Sequence, residues 1–252
     1  MRNSGLKAVG ANPIRQTAWL GALFVGAYLA LSAAGGAQAP APQDPAPDEQ
    51  SYGDLLQKGV GLAKAKRSQE AIDNYFDKVI AFYSGRYSNA KPQMFCSHGS
   101  TETLFYTLNG AANGKDALVL GPTWCDALYA KAYALIDLNR LNEAEDALHR
   151  ALALAPENAK YLNELGHILS LRKQWPQAIA TFSRAEEAAK YAPAQDATAF
   201  ASRACRGVGY ALTEQKRLDE SEANYRRCLS IDASDRQSMI ELQYIKKLRN
   251  SP

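Results

Sequence analysis

Residues 125–185 read CDALYAKAYALIDLNRLNEAEDALHRALALAPENAKYLNELGHILSLRKQWPQAIATFSRA. From Cys125, the small and apolar residues are Leu128, Ala132, Leu135, Leu141, Ala144, Leu148 and Ala151, and Pro156 follows. From Ala159, 159 − 125 = 34 residues later, Leu162, Gly166, Leu169, Trp175, Ala178, Phe182 and Ala185 fall in the same slots. A period of that length marks one supersecondary unit used twice. Within each unit the three- and four-residue steps put these side chains on one helix face. Ala132 or Gly166, set opposite Ala144 or Ala178, lets two antiparallel backbones approach closely, and the large residues fill the remaining space. Asn139-Arg140 and Lys173-Gln174 are short polar links of the kind that join antiparallel helices. Pro156 cannot continue a helix and ends the second one. Seven aligned slots are too many for two ordinary amphipathic helix pairs alike by chance.

This pattern resembles the tetratricopeptide repeat family. The resemblance implies an all-α solenoid of helical hairpins, in which the first helices of successive repeats line a concave groove for an extended peptide or a partner's helix. The fold class expected is therefore an all-α, tetratricopeptide-like helical-hairpin solenoid. It carries a helical insertion after the first repeat and a C-terminal closing helix.

Working outward, a first repeat at about 52–83 places Leu55, Gly59, Leu62, Ala71 and Tyr75 in the slots of Leu128, Ala132, Leu135, Ala144 and Leu148. Lys78 stands where a small inward residue is needed and no Pro closes the unit, as befits a terminal repeat. The next two repeats occupy about 125–158 and 159–192. A last one, at about 202–235, has Cys205, Gly209, Leu212, Leu218, Ser221, Tyr225 and Cys228 in register. Its step of 202 − 159 = 43 residues is nine over the period, and the excess falls in AEEAAKYAPAQDATAF around Pro193. A closing helix over 236–249 turns Met239, Leu242, Ile245 and Leu248 inward, with Lys246, Lys247 and Arg249 in its last turn and a polar outer face.

Residues 84–124 break the period, since 125 − 52 = 73 is not twice 34. Ser84 to Pro92 reads as loop. Thr101 to Ala112 reads as helix, with Ser100 or Thr101 as N-cap and Leu104, Phe105 and Leu108 on one face. Asn113-Gly114 makes a turn, and Asp116 to Leu120 reads as one more helical turn. The insertion is expected to pack an extra helix between the first and second repeats.

Of the whole chain, 46% is hydrophobic, enough for a real core over 51–252. The net charge of +3 comes from Arg2, Lys7 and Arg15, because no acid occurs among residues 1–39. Without that segment 29 − 3 = 26 basic residues face 26 acidic ones. A neutral chain with no basic stripe excludes nucleic acid as the expected partner, and a membrane surface held by charge as well. Residues 1–17 are polar and positive, 18–34 are apolar, and small residues follow, which is the layout of a secretory signal peptide. Cleavage after Ala34, Ala37 or Ala39 fits 1–39 as a signal peptide. An uncleaved anchor is the alternative, as seventeen apolar residues lie at the lower limit for a span. Residues 40–50, PAPQDPAPDEQ, read as an extended linker. The expected location is periplasmic or secreted, with inner-membrane anchoring through the N-terminal segment as the alternative.

Four cysteines behind a signal peptide suggest disulfides, against the alternative of four buried thiols. Sequence alone leaves three connectivities open. The hairpin geometry that the resemblance implies favours Cys205 with Cys228, on facing helices of one hairpin, which leaves Cys96 for Cys125. No cofactor is expected. No metal is either, since Cys96-Ser97-His98 is the lone ligand-like spacing. Asn109 to Asp116 is not a phosphate loop: it has three residues between Gly110 and Gly114 rather than four, and Asp116 stands where a Ser or Thr is needed. His98, His149 and His167 are the only near-neutral bases, His149 reading as solvated on the outer side of its helix. Paired acids such as Glu143/Glu145 and Glu186/Glu187 read as solvated helix faces. A hidden enzyme would need a polar pocket around His98 and Glu102, and the chain is read as no enzyme.

By slot, the resemblance places Tyr129, Tyr133, Asn163, His167, Arg206 and Tyr210 in the groove, with Lys160 and Arg203 at its edge. Tyr and Arg suit partner contacts. Family members that clamp a terminal carboxylate do so with Lys, Asn and Arg. Here Asn163 and Arg206 match that set and Tyr129 and Tyr133 depart from it. The alternative is a surface that is merely wet or that touches another copy of the chain. The expected function is a non-catalytic protein- or peptide-binding scaffold of the bacterial cell envelope; a membrane-tethered assembly scaffold is the alternative.

Overall fold

A computed structural model describes residues 47–250; the signal-like segment 1–39 and the linker as far as residue 46 lie outside the described residues. The first helix, α1 (Pro47–Lys64), takes in the end of the linker. It is followed by α2 (Ser68–Ala71), a π-helical turn (Ile72–Phe76) and α3 (Asp77–Arg86). After β1 (Gln93–Cys96), α4 (Ser100–Ala112) and β2 (Ala117–Leu120) come the hairpins α5 (Thr123–Asp137) with α6 (Leu141–Leu154), and α7 (Ala159–Leu171) with α8 (Trp175–Ala188). A 3₁₀ turn (Ala189–Tyr191) leads to α9 (Ala194–Glu214), α10 (Leu218–Ile231) and the closing helix α11 (Arg236–Asn250). The chain is an all-α solenoid of stacked hairpins.

One device joins the two helices of every hairpin. Lys66, Asn139, Lys173 and Lys216 have φ of 62°, 58°, 59° and 63°, the left-handed conformation that ends a helix. The next amide then reaches back across the turn: Arg67 to the Leu62 carbonyl, Arg140 to Leu135, Gln174 to Leu169 and Arg217 to Leu212, at 2.9–3.0 Å. Four non-glycine residues at equivalent places make these one turn used four times. Behind the turns, small residues admit large rings. A Cβ on Gly166 or Gly207 would come within 2.7 or 2.6 Å of the buried Phe182 ring, so that ring sits between α7 and α9 only because both positions lack a side chain.

In the first hairpin the fully buried residues in the slots after Ala71 are Phe76 and Val79, with Ile72, Ile80 and Tyr83 buried beside them, while Tyr75 is half-buried and Lys78 is exposed. The π-helical turn adds one residue to the helix and slips the register by one from there on. The apparent misfit of Lys78 disappears, because Val79 fills that slot. On its first helix Leu56, not Leu55, is fully buried.

The insertion corrects the sequence reading in three respects. Residues 117–120 form a strand, paired in parallel with β1 from Gln93↔Ala117 to Cys96↔Leu120, so the piece is a β-α-β unit rather than purely helical. Gly99 takes the N-cap position of α4. Leu104 and Leu108 are 52% and 59% exposed, while Glu102, Tyr106 and Gly110 face inward. That inner face packs on the strands beside it, with the Tyr106 ring stacked on Phe95 at 4.8 Å and Gly110 against Ala117, so the leucines point outward. The unit does not separate the first two repeats, because α1, α2 and α3 pack directly on α5. It sits instead at the hairpin ends. Tyr106 accepts a hydrogen bond from the Glu157 amide at 3.2 Å, and Phe105 packs on Tyr191 with ring centroids 4.4 Å apart.

On α11 the inward residues are Ser238, Glu241 and Ile245; Met239 is 41% exposed. Asp235 starts this helix by accepting from the Gln237 amide at 3.2 Å and from the Ser238 hydroxyl at 2.6 Å, which rotates Met239 outward. No helix among the described residues is long and apolar enough to cross a membrane.

Candidate functional site: the first-helix face and its ion pairs

Two disulfides fix the site's surroundings: Cys96–Cys125 ties β1 to the start of α5, and Cys205–Cys228 ties α9 to α10. The first bond places His98, two residues on, beside Asp126, the next residue on α5. There the His98 Nε2 lies 3.1 Å from the Asp126 Oδ1. The same oxygen accepts from the Lys160 Nζ at 2.5 Å and the Tyr161 hydroxyl at 3.1 Å. On the other side of the imidazole, the Asn158 carboxamide is 3.1 Å from Nδ1 and donates to the Glu102 Oε1 at 3.2 Å, while its own oxygen caps α7 through the Tyr161 amide at 3.1 Å. The His98 amide donates to Glu102 at 2.7 Å. One cluster thus joins the insertion, α5 and α7.

Burial alone would push the His98 pKa down, but the Asp126 charge and hydrogen bond, helped by Glu102, outweigh it and raise it to about 9. Burial opposes the Asp126 carboxylate too, yet Lys160 and His98 hold its pKa far below the usual range. An imidazole that is charged at neutral pH, with Nε2–H toward Asp126 at 3.1 Å and Nδ1–H toward the Glu102 Oε2 at 3.4 Å, has no lone pair for general-base work. The polar neighbours of His98 and Glu102 are Asp126, Asn158 and Tyr161.

The same principle recurs along the first helices. Glu164, 2% exposed, accepts from the Arg203 guanidinium at 2.7 Å and lies 3.1 Å from the His167 Nδ1. Burial works against its charge, but Arg203 and His167 lower its pKa to about 2. Arg206 pairs with Asp235, the capping carboxylate of α11, at 3.0 Å. Toward the other end, Lys131 meets Asp77 at 2.5 Å and Lys66 meets Asp137 at 2.9 Å. Each pair crosses from one repeat to its neighbour.

The residues placed in the groove by slot separate into two groups. Asn163 is 0% exposed, and its carboxamide donates to the Phe200 carbonyl at 3.1 Å, which ties α7 to α9. Tyr129 is 6% exposed, stacked on Tyr161 and lying under the Lys160 ammonium, which stands 4.7 Å from its ring centre. Those two are interior, a correction that arises because neighbouring first helices stack closely enough to cover this slot. Tyr133, His167 and Tyr210 remain half-buried in equivalent positions of α5, α7 and α9, and Arg206 is half-buried in its pair. Lys160 and Arg203 are likewise taken up in ion pairs. Drawing Arg203 away toward a ligand carboxylate would leave the buried Glu164 with only the His167 contact, at a cost of up to about 3–5 kcal/mol.

Sequence reasoning passed over Asp126, Glu164 and Asp235. A signal existed for the first: Asp126 and Lys160 are opposite charges one 34-residue period apart, 160 − 126, on successive first helices. Glu164 and Arg203 straddle the irregular step and carry no such mark.

The tetratricopeptide repeat family profile matches residues 129–193, and a second tetratricopeptide repeat profile matches residues 203–235. Both stretches are tetratricopeptide repeats. Its fold is similar to the structure of Pseudomonas aeruginosa pilF, with a TM-score of 0.55 at 15% identity, covering 80% of this chain and 71% of that one. It is also similar to the MamA RS-1 ArsTM double mutant, with a TM-score of 0.51 at 13% identity, covering 82% of this chain and 87% of that one. No curated protein matches the sequence. Tetratricopeptide repeats make the chain a scaffold for protein–protein interaction.

Proposed function

We propose that this tetratricopeptide repeat protein is an exported bacterial scaffold that binds an extended segment of a protein partner, without catalysis. The binding surface is the face formed by α5, α7 and α9. The observation that carries the reading is the row Tyr133, His167 and Tyr210, three aromatic side chains in one slot of successive first helices, each left half-buried while the charges around them are paired. Aromatic side chains give large contact area and hydrogen bonds at small entropy cost. Export is supported by the signal-like layout of residues 1–39 and by cysteines that all lie in disulfides among the described residues.

Two measurements test this. Intact mass of the protein from its native envelope fraction, before and after reduction with alkylation, is expected to show a mature N-terminus between Gly35 and Pro40 and no alkylation before reduction. A full-length chain would favour the membrane-tethered alternative, and alkylated native thiols would refute export. For the face, a random-peptide display library is panned on the immobilised chain. Peptides recovered on the natural protein are expected to lose at least about tenfold in affinity on a Tyr133→Ala/Tyr210→Ala variant.

A further inference from the structure

The charge pattern of the first-helix face speaks to what the partner segment is made of, given that the face is the binding surface proposed above. Its basic side chains are met by acidic ones of the same chain: Lys131 by Asp77, Lys66 by Asp137, Lys160 by Asp126, Arg203 by Glu164 and Arg206 by Asp235. Five cations thus stand against five anions across the repeat boundaries. Several of the acids are unable to let go. Glu164 is 2% exposed and Asp235 is 6% exposed, and Asp235 also caps α11. Asp126 holds His98 and Tyr161 together with Lys160. A carboxylate ligand would therefore have to displace a buried carboxylate to reach Arg203 or Arg206, and a closer, partly exposed one to reach Lys160, Lys131 or Lys66.

Beside these pairs the face carries aromatic side chains along its length and an apolar residue at its edge. Tyr133, His167 and Tyr210 repeat along it, and Leu171, in the slot that Asp137 holds on α5, is 47% exposed at the end of α7. We infer that the partner segment is electrically neutral and anchored by aromatic or aliphatic side chains, not by a terminal or side-chain carboxylate. Charge complementarity fixes the class: a balanced surface gains nothing from a charged ligand, and desolvating an ionic group against it is unfavourable.

The test uses the full chain and the random-peptide display library, with affinities of the recovered synthetic peptides measured at low and high salt, about 0.05 and about 0.5 M, across which the screening length falls severalfold. Expected are uncharged peptides carrying aromatic or aliphatic residues. Their affinity should change less than about twofold between the two salts and fall at least about tenfold on Tyr133→Ala/Tyr210→Ala. Recovery of acidic or acid-ended peptides that weaken more than about tenfold in high salt and are lost on that variant overturns this inference but leaves the binding face standing. Recovery of no peptide, or of peptides indifferent to the variant, overturns the binding face itself. Helicity of the variant is checked by circular dichroism, and single His167→Asn takes its place should the helices be lost.

Discussion

Replacing His98 by Gln removes a charge from the cluster that fastens the insertion to α5 and α7, and the effect depends on pH in a direction that the structure fixes. The folded-state pKa of His98 is raised from 6.5 to about 9. A raised pKa means that the native chain binds the proton more tightly than the unfolded one. The stabilisation is then complete below pH 6.5 and is lost as pH climbs through 9. At about 1.4 kcal/mol per pKa unit the rise corresponds to about 3 kcal/mol, an order-of-magnitude figure. For a domain of this size that equals a melting shift of about 10 °C. His98→Gln keeps a hydrogen-bonding side chain but no charge. Urea unfolding of both proteins at a series of pH values is expected to show the natural protein more stable by about 3 kcal/mol at pH 6, with the gap closing toward pH 9.5. Superimposable profiles, or a gap that widens with pH, would refute the assignment of an imidazolium held by Asp126. The acid limb has the opposite origin. The Asp126 pKa is depressed, so its contribution is present above the ordinary carboxylate range and lost as pH falls below it.

Other perturbations follow from the packing. Arg203→Met leaves Glu164 buried without its cation and is expected to cost about 3–5 kcal/mol in denaturant melts, whereas Glu164→Leu/Arg203→Met together are expected to restore most of that loss. Gly166→Ala or Gly207→Ala pushes a methyl into the Phe182 ring and should destabilise by about 1–3 kcal/mol, with added Phe182→Leu recovering part of it. Lys173 sits at φ 59°, so Lys173→Gly relieves a left-handed side chain and is expected to raise stability by up to about 1 kcal/mol. The disulfides close loops of 29 and 23 residues. Removing either by paired Cys→Ala is expected to lower stability by about 3–4 kcal/mol in the chain-entropy account.

The repeats were readable because their signal is redundant. In the second and third units each slot is set by size as well as polarity, and the 34-residue step sets Ala132 against Gly166 and Leu148 against Phe182. Where redundancy ended, the reading slipped. A π-helical turn adds one residue without leaving a mark in composition, so Tyr75 and Lys78 took the places of Phe76 and Val79. The insertion misled for a different reason. Leu104 and Leu108 have the spacing of a buried face, but α4 instead turns Tyr106 and Gly110 onto Phe95 and Ala117 of the two strands, with Glu102 and the Tyr106 hydroxyl reaching Asn158 and Glu157, and that pairing of strands is visible only in the tertiary structure. ALVL at 117–120 is a short apolar run, which periodicity alone leaves open between strand and helix. At the candidate face, slot arithmetic found the helices and missed the depth. Asn163 and Tyr129 lie beneath the surface that Tyr133, His167 and Tyr210 reach.

The most direct test of the central claim is site-specific photo-crosslinking in the native host with benzoylphenylalanine at positions 133, 167 and 210 on the first-helix face, and at 149 and 180 on the second helices. The account predicts that one and the same partner is captured from the first three positions and not from the last two. Capture from 149 or 180 alone would contradict it and move the binding surface to the second helices.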